Sequence, residues 1–132
     1  MIQKACAVVL HPDGDPLRVL MFEHPQAGLQ LIKGGIKSGE TIAYAGMREL
    51  YEESGLETVS AHVIGASDRI VEGQEWHFVL CRIKTPVRDQ WQHFCSDDGG
   101  HLFRFFWQDL NTLPETHPTF VNAFKEIQGF LS

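Results

Sequence analysis

The chain has 132 residues, 43% hydrophobic and 21% charged, with 17 acidic against 11 basic side chains and a net charge of −6. That length and composition fit one globular domain, expected over residues 1–132, and exclude a disordered chain, a collagen-like repeat and a disulfide scaffold. No basic stripe points to a long nucleic acid, whereas an acidic balance still admits a phosphorylated small molecule once bound cations invert the local field. Ile2–Leu10 reads as a strand, and the dense turn signal His11-Pro12-Asp13-Gly14-Asp15-Pro16 leads to a second, Leu17–His24, so a hairpin is expected. The apolar run after Lys4 is too short for a signal peptide or a membrane span, which gives the expectation of a cytoplasmic chain with no membrane partner. Leu29–Ile32 reads as a short strand and Lys33–Gly39 as a Gly-rich loop.

Thr41–Ser54 has helical spacing and ends at Gly55, a good C-cap residue. Val59–Ala66 and Trp76–Ile83 read as strands, Arg69–Val71 as a further short one, Gln90–Gly100 as irregular and Leu102–Trp107 as a late strand. Phe120, Phe124, Ile127 and Leu131 recur at helical steps, giving a second helix over Phe120–Leu131. Strands and helices mix without strict βαβ alternation, so the expected class is α/β in the α+β sense: a mixed sheet covered by two helices. Cys6, Cys81 and Cys95 are odd in number and form no CxxC pair, so free, buried thiols are expected. Trp76 and Phe78, and likewise Trp91, Phe103, Phe105, Phe106 and Trp107, read as core aromatics.

The informative segment is Gly34–Leu56. On a helical wheel Glu49, Glu52 and Glu53 occupy an arc of about 100°, while Ala43, Tyr44, Met47, Leu50 and Tyr51 fall on another side. The pattern implies one apolar face for packing and one acidic face. Like charges at these spacings repel, by a few tenths of a kcal/mol per pair, and the macrodipole disfavours anions in the C-terminal half of a helix. A hard divalent cation with oxygen ligands removes the conflict. A solvated acidic face gives the same pattern, and the triad alone leaves both readings open.

The surrounding residues run Gly34, five residues, Glu40, seven residues, then Arg48-Glu49-Leu50-Tyr51-Glu52-Glu53-Ser54-Gly55-Leu56. This is similar to the signature of the Nudix (MutT-type) hydrolase superfamily, matching all its fixed identities and both aliphatic positions at the right spacing. Ile32 departs from the proline that the family often has before the Lys-Gly-Gly order. The resemblance implies a Nudix fold, a mixed sheet between helices with a catalytic loop-helix-loop. It implies that Glu49, Glu52 and Glu53 hold Mg²⁺ or Mn²⁺, that Glu49 or a nearby carboxylate activates water, and that Arg48 pairs with Glu40 to orient the helix. Glu49, Glu52 and Arg48 are then the catalytic candidates, and Lys33, Gly34 and Gly35 the substrate-binding ones. A further carboxylate outside the signature often completes the metal site in this family. Asp97 and Asp98 are the first candidates here, Glu72 and Glu75 the second.

The implied activity is metal-dependent hydrolysis of a phosphoric anhydride: cleavage of the diphosphate in a nucleoside diphosphate linked to another moiety. Hydrolysis of dinucleoside polyphosphates or capped RNA is the alternative, and a catalytically silent Nudix domain that senses a nucleotide is the rival outside enzymes. The expected partner is a small nucleotide or diphosphate substrate. Oligomeric state is left open, a homodimer included.

Overall fold

The computed structural model describes residues 1–132, the side chain of Asp98 excepted. The strands are β1 (Ile2–Val8), β2 (Arg18–His24), β3 (Gly28–Gln30), β4 (Ile32–Gly35), β5 (Thr58–Ser67), β6 (Gln74–Ile83), β7 (Trp91–Cys95) and β8 (His101–Asp109). The helices are α1 (Ile42–Ser54) and α2 (Pro118–Phe130), with a single 3₁₀ turn at Asp97–Gly99. Two four-stranded sheets result, ordered β4-β1-β6-β5 and β3-β2-β8-β7. Only β1 and β6 run parallel, Ile2 opposite Gln74 through Val8 opposite Leu80; the other pairs are antiparallel.

The expected hairpin survives only at its turn. Antiparallel pairing of the first two strands is limited to the Leu10–Val19 bridge and the bonds His11 N–H to Arg18 O and Leu20 N–H to Val9 O, each 2.9 Å. Beyond it β1 joins one sheet and β2 the other. The physical reason lies in their burial: Ala5–Val8 and Val19–Phe22 are continuous buried runs, which need cover on both faces and flanking strands on both sides. The strand expected at Leu29–Ile32 is divided between the sheets at Leu31, and Lys33–Gly35, read as loop, continues β4 opposite Cys6, Ala5 and Lys4. Arg69–Val71 is a bend, and the segment read as irregular contains β7.

Each helix covers its own core. Under α2, Phe120, Phe124 and Ile127 pack with Val8, Met21, Trp76 and Phe78. Under α1, Leu50 packs with Val9, Leu20, Phe22, Val79 and Phe105. No helix is long and apolar enough to cross a membrane. All three cysteines are buried and free, as expected.

Candidate active site

The α1 helix is fixed at both ends by its own sequence. Thr41 caps it, its Oγ1 accepting from the Tyr44 N–H at 3.1 Å. Gly55 ends it in the left-handed region, φ 78°, with its N–H on Tyr51 O at 2.9 Å. Its rotation differs from the expected one. The buried residues are Ala45, Gly46, Glu49, Leu50 and Ser54, whereas Tyr44 and Tyr51 are 56% and 58% exposed. Two carboxylates of the acidic arc, Glu49 and Glu53, therefore face inward, and Glu52 stays at the surface.

Two glycines explain the rotation. A Cβ on Gly46 would lie 2.8 Å from the Val79 Cβ, so the helix meets β6 at backbone distance there. A Cβ on Gly34 would lie 2.2 Å from the Glu49 carboxyl carbon, so β4 leaves the space that this carboxylate fills. Larger residues at either point would turn α1 away and take Glu49 out to solvent.

Arg48 organises the charges. Its Nε donates to Glu40 Oε2 at 2.6 Å and its Nη2 to Glu40 Oε1 at 2.9 Å, a two-pronged pair. Nη2 also reaches the Gly35 carbonyl at 2.9 Å, and Nη1 donates to Glu49 Oε1 at 2.7 Å and to Glu52 Oε2 at 3.4 Å. Glu40 Oε1 accepts the Lys37 N–H as well, at 2.7 Å. These bonds to Arg48 first, and to the Lys37 backbone, hold the Glu40 carboxyl down at about 2 and raise the guanidinium in turn. The loop before α1 is thus tied to the helix by one guanidinium.

Burial pushes the Glu49 carboxyl up, against the opposing pull of Arg48. Burial pushes Glu53 well above the usual carboxylate range, and the charge of Glu49 adds to it while Lys33 opposes it. Glu53 Oε2 is buried with no hydrogen-bond partner among the described residues. Asp97, an expected candidate, adds its negative charge to both Glu49 and Glu53. Glu52 stands apart: its side chain is 40% exposed and held only by the longest Arg48 bond. Among the described residues, no three acidic, histidine or cysteine side chains close into a ready-made cage, and Arg48 bonds both Glu49 and Glu52. The donor set nevertheless fits a hard cation: oxygen ligands only, one of them buried and unpaired, and the chamber at Gly34 open to a carboxylate.

Lys33 is half-buried and lies over the Trp76 ring, its Nζ 5.8 Å from the centroid. Glu72 is exposed in the turn before β6, and Glu75 pairs with His77 at 3.1 Å. The Asp98 side chain lies outside the described residues. Glu49, Glu52, Arg48 and Asp97 line an open cleft of about 970 Å³ between α1, β7 and the segment before β7. Lys37, Arg88, Trp91 and His93 share that lining, and sequence reasoning missed all four as cleft residues. Trp91, expected in the core, is half-buried in the cleft wall. The signal that was present is its place on a period-two strand, Trp91-His93-Cys95, whose inward positions face α1.

The NUDIX domain model matches residues 1–126. An RNA pyrophosphohydrolase of Brucella ovis is 35% identical in an alignment 102 residues long that covers 64% of this chain and 57% of that protein. The chain thus spans little more than half the length of the curated relatives it matches. An ADP-ribose pyrophosphatase of Streptococcus suis superposes with a TM-score of 0.73 at 16% identity, covering 98% of this chain and 87% of that one. The NUDIX domain of Shewanella oneidensis NrtR, solved with ADP ribose, superposes at 0.69 with 10% identity, covering 100% and 89%. These superpositions show the fold, of the expected α+β class, with two sheets where one mixed sheet was expected; together with a family match over nearly the whole length, they mean that the chain belongs to the NUDIX domain family.

Proposed function

We propose that this chain is a divalent-metal-dependent pyrophosphohydrolase that cleaves the diphosphate bridge of a nucleoside diphosphate linked to a second moiety. The observation that carries the reading is the carboxylate of Glu53, buried, unpaired at Oε2 and crowded by the charges of Glu49 and Asp97. A chain selected only for stability has no use for such a group. Glu49, Glu52 and Glu53 would hold the ion, Mg²⁺ or Mn²⁺, with Asp97 as the added carboxylate. When bound, the ion neutralises phosphoryl charge, lowers the pKa of water and stabilises a leaving oxygen.

The protein's own groups supply the rest. Water adds to one phosphorus as the bridging P–O bond breaks, and the leaving phosphate keeps the electron pair. Glu49 takes the proton from the water on Oε2, since its Oε1 is bonded to Arg48. Arg48 and Glu40 keep the helix and the Gly34-Gly35 strand in fixed relation while this happens. Lys33, from beside Trp76, lends positive charge toward Glu53 and the phosphates.

The Brucella relatives, RNA pyrophosphohydrolases, favour a second reading, hydrolysis of a phosphoric anhydride at the 5′ end of an RNA, capped RNA included. The net charge of −6 works against long RNA. One screen decides between them. Nucleoside triphosphates, ADP-ribose, dinucleoside polyphosphates, nucleotide sugars and 5′-triphosphorylated or capped RNA are offered with Mg²⁺ or Mn²⁺, and again after exhaustive chelation. Turnover of a small diphosphate that stops on chelation supports the first reading; turnover of RNA alone supports the second. Undiminished turnover after chelation removes the metal-dependent reading, and no turnover of any substrate removes the hydrolase reading and leaves a silent nucleotide-binding domain.

A further inference from the structure

The cleft continues past the carboxylates, and its other lining residues have a different chemistry. Beyond the C-terminus of α1 it is walled by Leu56, Val87 and Trp91, all half-buried, with the exposed Arg88 beside them. Trp91 is fixed twice. Its Nε1–H donates to the Ser54 carbonyl at 3.1 Å, and its ring stacks on Phe105 with centroids 5.1 Å apart and planes 11° apart. The polar atom of the indole is thus satisfied by the end of α1, and the ring is held still as part of the cleft wall. A rigid aromatic surface with apolar neighbours binds a flat partner at little cost in ordering.

Arg88 is placed by the same neighbourhood. Its backbone carbonyl accepts from Trp107 Nε1 at 2.9 Å, which fixes the segment. Its guanidinium has no ion-pair partner among the described residues. An unpaired guanidinium at the edge of an apolar, aromatic wall matches a ligand that joins a planar base to a phosphate.

Resting on the pyrophosphohydrolase reading, we propose that the Leu56–Val87–Trp91 wall takes the base of the substrate's nucleoside and that Arg88 takes the adjoining phosphate. The reacting anhydride then lies toward Glu49 and Glu52, which line the same cleft. Every base has a π-face, so stacking on Trp91 tolerates all of them, and the substrate class is a nucleoside 5′-phosphate with little base preference.

Binding is measured by calorimetry in saturating Mg²⁺ with two ligands. Adenosine monophosphate has a base and no anhydride; methylenediphosphonate has two phosphoryl groups and no base. Trp91→Leu should weaken adenosine monophosphate about tenfold or more. It should weaken methylenediphosphonate far less. Trp91→Phe, which keeps a π-face but loses the Ser54 bond, should retain most of the affinity for adenosine monophosphate. Arg88→Gln should weaken it about tenfold and flatten its salt dependence. Unchanged affinity for adenosine monophosphate in Trp91→Leu and Arg88→Gln overturns the proposal. Equal losses for both ligands in the two Trp91 variants also overturn it, because Trp91 would then only support the end of α1. If no anhydride is hydrolysed while the Trp91-dependent binding remains, the hydrolase reading fails and the nucleoside subsite stands.

Discussion

The two helices are each 13 residues long and bury a stripe of similar geometry, yet they fill it with different chemistry. The α2 helix buries Phe120, Ala123, Phe124 and Ile127. The α1 helix buries Glu49 and Ser54 alongside Ala45, Gly46 and Leu50, and Glu53 is nearly enclosed on the same side. In α2, removal of apolar area from water contributes about 1.5–3 kcal/mol per large side chain. In α1, burial of charge opposes folding, and Arg48 offsets it for Glu49 but not for Glu53 Oε2. Both helices bury apolar side chains, but α1 also carries carboxylates that the fold must hold close.

This contrast predicts opposite outcomes for substitutions on equivalent faces. Phe124→Ala under α2 should cost about 3–5 kcal/mol of stability. Denaturant melts would show it, and the surviving folded protein should keep its metal affinity. A smaller loss would mean that the α2 core collapses around the gap.

Glu52→Gln and Glu53→Gln should do the reverse. Each should reduce turnover by about two orders of magnitude, or about 2.7 kcal/mol of barrier. Metal-free melting temperatures should stay level or rise, since a Gln relieves repulsion on a crowded face. For Glu53 the sign can be worked out. Its folded-state pKa lies above the unfolded value near 4.3. Metal-free wild type therefore loses stability as pH climbs from about 4.3 through the folded-state pKa, and Glu53→Gln does not. Parallel pH–stability curves for the two proteins would remove the buried-carboxylate account.

Gly34→Ala tests what keeps Glu49 inward. The new Cβ would meet the Glu49 carboxylate at 2.2 Å, so one of them must move. The expected cost is about 1–3 kcal/mol of stability. Displacement of Glu49 by about 1 Å should lower turnover about a hundredfold. Retained turnover would show that the position of Glu49 does not matter.

These contrasts also mark what the sequence makes legible. The extent of α1 is readable because Thr41 and Gly55 carry local cap chemistry, and α2 because its apolar period has no competitor. The family signature is readable because its residues are close in sequence. The rotation of α1 is not, since it is set by contacts of Gly46 with Val79 and of Gly34 with Glu49, between segments remote in the chain. β7 is hidden for a different reason. It turns His93 inward and leaves Phe94 61% exposed, which reverses the polarity expected of a half-buried strand. With β7 unread, Trp91 and the cleft wall are unreadable too.

Glu40 gives a smaller effect at acid pH. Its carboxyl is held at about 2 by Arg48, below the unfolded value near 4.3. The stabilisation is complete above about pH 4.3 and is lost as pH falls through about 2. Arg48→Lys, which lacks the two-pronged geometry, should weaken this acid dependence. A melting-temperature series from pH 5 to pH 2 on both proteins measures it, and identical curves would mean that the two-pronged geometry contributes nothing measurable.

The smallest expected effect is none at all, and it concerns both cores. Cys6 lies under α2, and Cys81 and Cys95 lie under α1. All are free, and burial raises each thiol above its ordinary range, Cys81 to about 11. At neutral pH almost no thiolate forms, so neither exchange nor oxidation proceeds readily in the folded chain. Melting temperatures with and without reductant should agree. A thiol reagent should label Cys95 before Cys6, because Cys95 lines the cleft and Cys6 is fully enclosed. Labelling of Cys6 first would show that the α2 core opens more readily than the cleft, which contradicts the division of labour between the two helices. A melting temperature that drops on reduction would show a crosslink in solution.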